Sequence, residues 1–344
     1  MENLYLSVVR KNIGMDIHVR APIEFEKILD YTFTESISMT RQRISIQQLL
    51  DQQSEDSPEE DKKQLIRHLN LYSKQIKNMI IKLKNTKLTK QPHFSWSINN
   101  ETIDTPCWLF EAIMPRVVNY NINVNIAQKK IKNEEFVEAN QYLKDAQRCV
   151  NECIFLTQSW KWKMPHLTHK ILSSQWHLAQ KNKMETIIQL NMLSRAQQKE
   201  NSDKTLYTLA QRALSHTAQS YMYWKDPHTE MLLKLSDAFR YMYSANILWN
   251  NAQYGSSIYR LQHWLKGQKI ETGAFENFKR EFEKIPFLLQ ERIHINNSAY
   301  FEPIEPAADL PNLESIIHTK NIKHPDIPNL NEDPQQTQNQ ELHE

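Results

Sequence analysis

The sequence contains very little glycine, with 4 Gly among 344 residues, against an average usage of about 7% in proteins. Glycine is the usual residue of tight hairpin turns and strand bends, so its scarcity disfavours β-rich and α/β folds. Four scattered glycines also cannot form the glycine-rich loops that hold nucleotide phosphates. The composition therefore favours long helices joined by polar loops.

The sequence is also poor in cysteine, has no excess of one charge and contains no long apolar run. The three cysteines form an odd number, which fits a reducing compartment better than a disulfide framework. The 42 basic and 40 acidic residues nearly balance, so we expect no nucleic-acid partner. No apolar run approaches the roughly 18 residues of a membrane span, and the amino terminus lacks the pattern of a secretory signal. We expect a cytoplasmic protein.

The sequence also lacks the motifs that would indicate an enzyme. No G-x-S-x-G nucleophile motif occurs. Cys149 and Cys153 lie four residues apart, and His166 and His169 three apart, but neither pair has a second pair at metal-ligand spacing. The apolar neighbours of the two cysteines favour small core residues. We therefore expect no catalytic residues, no metal and no cofactor.

The residues that are present show helical periodicity over most of the chain. Between residues 60 and 84, for example, apolar residues recur at three- and four-residue intervals and polar ones fill the opposite face. The pattern predicts helices over 60–84, 105–130, 134–160, 168–200, 203–223, 228–252, 256–266 and 274–294. The loops between them are short, which predicts antiparallel helical hairpins. Pro115 is predicted to kink the second helix or to restart it.

Two segments alternate apolar and polar residues as half-buried strands do, namely LYLSVV at 4–9 and HFSWSI at 93–98. We expect them to form a small accessory sheet. Prolines and polar residues dominate the carboxy-terminal end of the chain. The predicted organisation is one helical domain over 1–315 and a polar, disordered tail over 316–344.

The stretch from 238 to 264, AFRYMYSANILWNNAQYGSSIYRLQHW, resembles the most recognisable stretch of the BRO-one domain family. The matching positions are Tyr254, Gly255, Ile258, Arg260, Leu261 and Gln262. Further segments agree in order, including NMLSRAQQKE at 191–200, YTLAQRA at 207–213 and HFSWSINNE at 93–101. The segment FEAIMPRVVNYNINVNIAQ at 110–128 agrees through Phe110, Glu111, Tyr120 and Asn121.

The resemblance implies a mainly α fold, an elongated α-solenoid of tetratricopeptide-like helical hairpins with a small N-terminal β-sheet. It assigns Gly255 to a hairpin corner that needs either a positive φ or a close approach of two backbones. It also implies a non-enzymatic adaptor. Such domains bind the C-terminal amphipathic helix of ESCRT-III subunits of the charged multivesicular body protein 4 class, in endosomal sorting or membrane remodelling.

By this resemblance, the partner helix binds between the helices at 134–160 and 203–223. The positions that match the family's site are Val137, Gln141, Leu206 and Leu209. The sequence departs from the family there, because Glu200 replaces an aromatic residue and Thr205 an isoleucine. An alternative is therefore a diverged scaffold of the same fold that has lost this groove and binds another peptide or a small GTPase.

Two further expectations come from the resemblance. Tyr300 matches a tyrosine of the segment that closes the domain, so it is a candidate phosphorylation site, or else it packs that segment onto the core. The chain lacks a prenylation motif. Recruitment to endosomal membranes, including the multivesicular body, would therefore depend on the partner.

Overall fold

The structure is a computed structural model that describes residues 17–19, 23–28, 35–54, 57–83, 92–98, 101–159, 169–267 and 279–305. The strand predicted at 4–9, the residue His166 and the tail predicted at 316–344 lie outside these ranges. The described part of the chain is mainly α-helical, with a small antiparallel sheet near its amino-terminal end.

The helices follow one another along the chain. They are α1 (Phe25–Ile28), α2 (Glu35–Asp51), α3 (Glu59–Leu83), α4 (Trp108–Lys132), α5 (Phe136–Ser159), α6 (Ser174–Gln198), α7 (Asp203–Tyr223), α8 (Pro227–Asn250), α9 (Tyr254–Gly267) and α10 (Lys279–Ile295). A 3-10 turn at Lys170–Leu172 precedes α6, and a π-helical turn at Asn296–Tyr300 follows α10. From α2 onward, each helix packs mainly on the helices before and after it. This nearest-neighbour packing is that of an elongated α-solenoid.

Three hairpins, α4–α5, α6–α7 and α8–α9, turn through the same kind of corner. Glu134, Glu200 and Ala252 adopt left-handed backbone conformations with φ of 60°, 52° and 59°. In each corner the next amide donates to the carbonyl five residues back, at 2.8 Å, 3.0 Å and 2.9 Å respectively. This is the hydrogen bond of a Schellman cap, which usually places glycine at the left-handed position. Here the corners are built without glycine.

The helices α6, α7 and α8 begin at residues whose side chains accept hydrogen bonds from free amides. The hydroxyl groups of Ser173 and Ser202 cap α6 and α7. The Asp226 carboxylate accepts from the amides of His228 and Thr229, both at 3.1 Å, and Pro227 opens α8. Proline suits this first position because it lacks an amide that would otherwise have no acceptor in the helix.

The sheet contains β1 (Ile17–Val19), β2 (Phe94–Ile98) and β3 (Glu101–Thr105), with β2 in the centre and both pairings antiparallel. The strand predicted at 93–98 is therefore confirmed. The sequence did not indicate β3, because four of its five residues are polar and three are exposed. Only two residues separate β3 from β2, and β3 pairs antiparallel along the edge of that strand.

Beneath the sheet, the carboxylate of Glu111 on α4 is fully buried. It accepts hydrogen bonds from the Tyr72 hydroxyl at 2.6 Å and from the Trp96 indole at 2.7 Å, and it forms an ion pair with Arg43. Burial raises the pKa of Glu111, while Arg43 and the two hydrogen bonds favour its ionised form. The network joins α2, α3, α4 and β2, and it explains why a Phe-x-Trp strand occurs with a Phe-Glu helix.

Pro115 lies within α4, which is a single helix from Trp108 to Lys132. The predicted restart at this proline is therefore wrong. Buried residues surround Pro115 on all sides of the helix, from Trp108 to Val124. Tertiary packing of this kind can hold a helix together across the hydrogen bond that proline removes.

The described residues contain three apolar core clusters. The first extends from Ile17 to Ile188 and fills the space between the sheet and α2–α6. The second lies between α6, α7 and α8, and the third lies between α8, α9 and α10. Met192 on α6 packs against both the first and the second cluster, so it lies where the two meet.

Candidate functional site

The candidate site is the strip of α6 that lies open between α5 and α7. Asn191 of α6 donates to Asn140 of α5 at 2.8 Å, whereas the Thr186 hydroxyl bonds Thr217 of α7 at 3.0 Å. The two neighbouring helices therefore cover opposite sides of α6. Because a helix advances by about 100° per residue, one strip between these sides remains. We call this strip the α6 face; its residues are Leu178, Lys181, Glu185, Met192 and Arg195, all half-buried or exposed.

The α6 face combines apolar and charged groups. Leu178 and Met192 supply apolar surface, and Met192 rests on the core beneath it. Lys181, Glu185 and Arg195 carry charge, and none of the three forms an ion pair with another described residue. An open strip of this composition can accept a helix that carries both apolar and charged side chains.

On α5, two of the residues that the sequence assigned to partner binding are exposed. Val137 has 54% of its surface exposed, and Gln141 is exposed one turn later on the same side of α5. Lys144 and Arg148 continue this exposed row. Val137 therefore lies at the edge of α5 with its apolar side chain in solvent.

On α7, the two leucines that were expected to line the groove are buried. Leu206 and Leu209 are only 7% and 2% exposed, and both belong to the second core cluster. They face Leu193 and Ala196 of α6 and Phe239 of α8 within that cluster. The apolar side of α7 is thus covered by α6 and α8, and the assignment of Leu206 and Leu209 to partner binding stays a prediction. On α7, His216 borders the α6 face, since it interacts electrostatically with Lys181 and Glu185, and Arg212 lies one turn before it.

The matching residues of the family-like stretch lie on α9, outside the α6 face, and have structural contacts. Ile258 and Leu261 are completely buried, and the Arg260 guanidinium donates to the Ser244 hydroxyl at 2.9 Å. Gly255 does not have a positive φ; the left-handed residue of this corner is Ala252. A Cβ atom on Gly255 would lie 1.9 Å from the Pro303 carbonyl oxygen. The close approach of two backbones, and not a positive φ, therefore explains this glycine.

The segment that approaches Gly255 consists of residues 296–305, which we call the closing segment. The Glu302 carboxylate accepts from the Gly255 amide at 3.0 Å, and the Tyr300 ring stacks on Tyr254 with centroids 3.7 Å apart. Trp249 contacts both tyrosine rings edge-on. Tyr300 remains 46% exposed, so it packs the closing segment onto the core while part of its ring faces solvent.

Across the residues that the structure describes, no group of three or more His, Cys, Asp or Glu side chains could hold a metal ion. In the same ranges, none of the helices has both the length and the apolar character required to cross a bilayer.

Comparison with solved structures identifies the fold as that of Bro1 domains. The described architecture matches the ALIX BRO1 CHMP4C complex with a TM-score of 0.64 and 15% identity, over 91% of this chain and 94% of that one. It matches ALIX in complex with the SIVmac239 PYKEVTEDL late domain at 0.64 and 14%, over 86% of this chain and 46% of that one. A structure on endosomal targeting by the Bro1 domain matches at 0.60 and 14%, with 90% of each chain covered. No protein-family profile and no curated protein sequence matches the chain.

Proposed function

We propose that this protein is a non-enzymatic adaptor that binds the amphipathic C-terminal helix of ESCRT-III subunits of the charged multivesicular body protein 4 class. The observation that carries the proposal is the likeness in fold, over 91% of this chain, to a Bro1 domain in a complex with CHMP4C. The protein would act in endosomal sorting or membrane remodelling, and its recruitment to endosomal membranes would depend on this partner.

The partner helix would lie along the α6 face between α5 and α7. Met192 and Leu178 would contact its apolar side, and Val137 would contact it from the edge of α5. Leu206 and Leu209 would contribute from within the second core cluster, by holding α7 against α6. Gln141 lies one turn from Val137 on the exposed row of α5, where it can donate to a polar group of the partner.

The proposal is tested by measuring the binding of a fluorescent peptide of this ESCRT-III helix by anisotropy. We expect saturable binding that Val137→Asp and Met192→Ala each weaken by about tenfold, since a few apolar anchors carry most of the energy in such interfaces. Leu71→Asp is the matched control, because Leu71 on α3 is 45% exposed and Val137 54%. Absence of saturable binding, or equal loss in the control, would contradict the proposal.

A second candidate function is a scaffold of the same fold that binds another peptide or a small GTPase at a different surface. Phe287 on α10 and Phe301 in the closing segment favour it, because they are 71% and 73% exposed and lie away from Leu209. If the ESCRT-III peptide does not bind, Phe287→Ser and Phe301→Ser should reduce the capture of whichever partner the protein has.

Two other assignments accompany the proposal. Residues 1–315 would form the binding domain, and 316–344 would form a polar tail.

Tyr300 is the proposed phosphorylation site, since its ring is partly exposed and stacked on Tyr254. A phosphate on Tyr300 would add negative charge within the segment that holds the Glu302 carboxylate, so it would loosen this segment from α9.

A further inference from the structure

A group of ionisable side chains lies where α7 borders the α6 face. His216 of α7 lies one turn after Arg212, and the two residues share one side of α7. Lys181 and Glu185, one turn apart on the α6 face, both act on His216 electrostatically, as does Arg212. Two cations and one carboxylate therefore surround this imidazole from the two helices that pack at this point.

His216 has an unused hydrogen-bonding atom in this position. Its Nδ1 atom is enclosed and has no hydrogen-bond partner among the described residues. A buried polar atom without a partner is uncommon in proteins and costs free energy. The Nε2 atom of the same ring is not enclosed, so it is the atom that a group docking on the α6 face can contact.

The charge on and around the α6 face is unequal. Lys181, Arg195 and Arg212 are cationic, and Glu185 is the one carboxylate of the α6 face itself. Lys181, Glu185 and Arg195 form no ion pair with a described residue, so no described side chain neutralises these charges at close range. Met192, the principal apolar residue of the face, lies two turns from Glu185 on the same strip. The complementary ligand is therefore apolar along one side and carries a carboxylate beside it.

We propose that the α6 face selects amphipathic helices that carry an acidic side chain next to their apolar row, and that Arg212, Lys181 and His216 bind this carboxylate. The proposal deepens the proposed function, on which it rests, by naming the chemistry that the partner helix must have. It further predicts that binding takes up a proton at His216 and is therefore tighter at lower pH.

The direction of the pH dependence follows from the surroundings of His216. Burial lowers the pKa of His216, Arg212 and Lys181 act in the same direction, and Glu185 opposes them. The imidazole is thus neutral in the free protein near pH 7. A carboxylate brought next to it favours the charged form and raises its pKa in the complex. Since the complex then binds more protons than the free protein, affinity rises as pH falls.

The experiment uses three synthetic helical peptides with one apolar row and Glu, Gln or Lys at the same flanking position. Their affinities for the full chain are measured by fluorescence anisotropy at pH 7.5 and 6.0. We expect the Glu peptide to bind about tenfold more tightly than the Gln peptide at pH 7.5. Its affinity should rise by about a further fivefold at pH 6.0. The Lys peptide should bind most weakly, because it meets like charge.

Two variants separate this result from a general effect of charge. His216→Gln should abolish the rise at pH 6.0 while the Glu peptide still binds, and Lys181→Gln should reduce the preference for Glu over Gln at both pH values. Lys74→Gln is the control, because Lys74 is an exposed lysine on α3. Lys181 is only half-buried, so its variant keeps the test valid even if His216→Gln unfolds.

The outcomes distinguish this inference from the proposed function. Equal affinities for the Glu and Gln peptides, a pH response that persists in His216→Gln, or no binding by any peptide would overturn the inference. If the Glu peptide binds as expected and the ESCRT-III helix does not, the inference stands and the proposed partner is wrong. If the ESCRT-III helix binds without any response to pH or Lys181→Gln, the partner stands and the inference is wrong.

Discussion

At the scale of single residues, the α8–α9 corner separates two roles that glycine usually combines. Ala252 takes the left-handed conformation, with φ of 59°. Gly255, three residues later, leaves room for the Pro303 carbonyl. An alanine in the left-handed region is strained by roughly 1–2 kcal/mol because its Cβ crowds the following carbonyl oxygen. The two positions should therefore respond to substitution in opposite directions.

We predict that Gly255→Ala destabilises the protein and Ala252→Gly stabilises it. The new methyl group at 255 must displace Glu302 and Pro303, and overpacking of this kind costs about 1–3 kcal/mol. Glycine at 252 should raise the free energy of unfolding by about 1 kcal/mol. Urea unfolding measures both changes. Gln253→Gly, next to Ala252 but outside the set of positive-φ residues, should not stabilise; if it does, the conformational explanation is wrong.

At the scale of helices, periodicity located the elements well. The helix predicted at 60–84 is Glu59–Leu83, and the one predicted at 203–223 is Asp203–Tyr223. The helix α2 was not predicted, because its apolar residues do not gather on one side; Ile37 and Ile44 are 43% and 38% exposed. Its pattern was weak because polar residues, such as Thr40 and Arg43, occupy part of its buried side.

We predict that Leu209→Ala lowers the free energy of unfolding by about 2–5 kcal/mol, as expected for a leucine in a well-packed core. Leu209 is 2% exposed and belongs to the cluster that joins α6, α7 and α8. Gln211→Ala, on the exposed side of the same helix, should change stability by no more than about 0.5 kcal/mol. Chemical unfolding of both variants checks this. A nearly neutral Leu209→Ala would mean that Leu209 lines an open groove after all.

At the scale of the whole molecule, the packing order of the helices makes stability local. The first core cluster includes residues from β1 to α6, whereas the third joins only α8, α9 and α10. In a solenoid, each unit is stabilised by its immediate neighbours, so the end with the smaller core opens more readily.

We predict that Ile285→Ala, which removes a side chain with 1% exposure from the third cluster, accelerates amide hydrogen exchange in α9 and α10. Exchange in α4 and α5 should remain unchanged, because these helices share no cluster with Ile285. Exchange mass spectrometry at peptide resolution provides the measurement. Uniform acceleration along the chain would instead indicate one cooperative unit.

The candidate site was predicted from the sequence only in part. The resemblance placed it between α5 and α7, and Val137 and Gln141 are exposed there. It did not indicate Met192, Lys181 or His216, because nothing in the order of residues states which side of α6 its neighbours leave open. Leu209 illustrates the same difficulty, since an apolar residue at helical spacing fits a groove and a core equally well.

The sequence by itself determined that the molecule is helical, where most helices begin and end, and that they form short-looped hairpins. These properties depend on local propensity, capping and periodicity, which act over a few residues. Only the tertiary structure decided which apolar faces are covered and why Gly255 is a glycine. The reason is that these properties depend on contacts between residues distant in sequence, such as the contact of Gly255 with Pro303. The sequence pattern of one helix does not indicate which other residues pack against it.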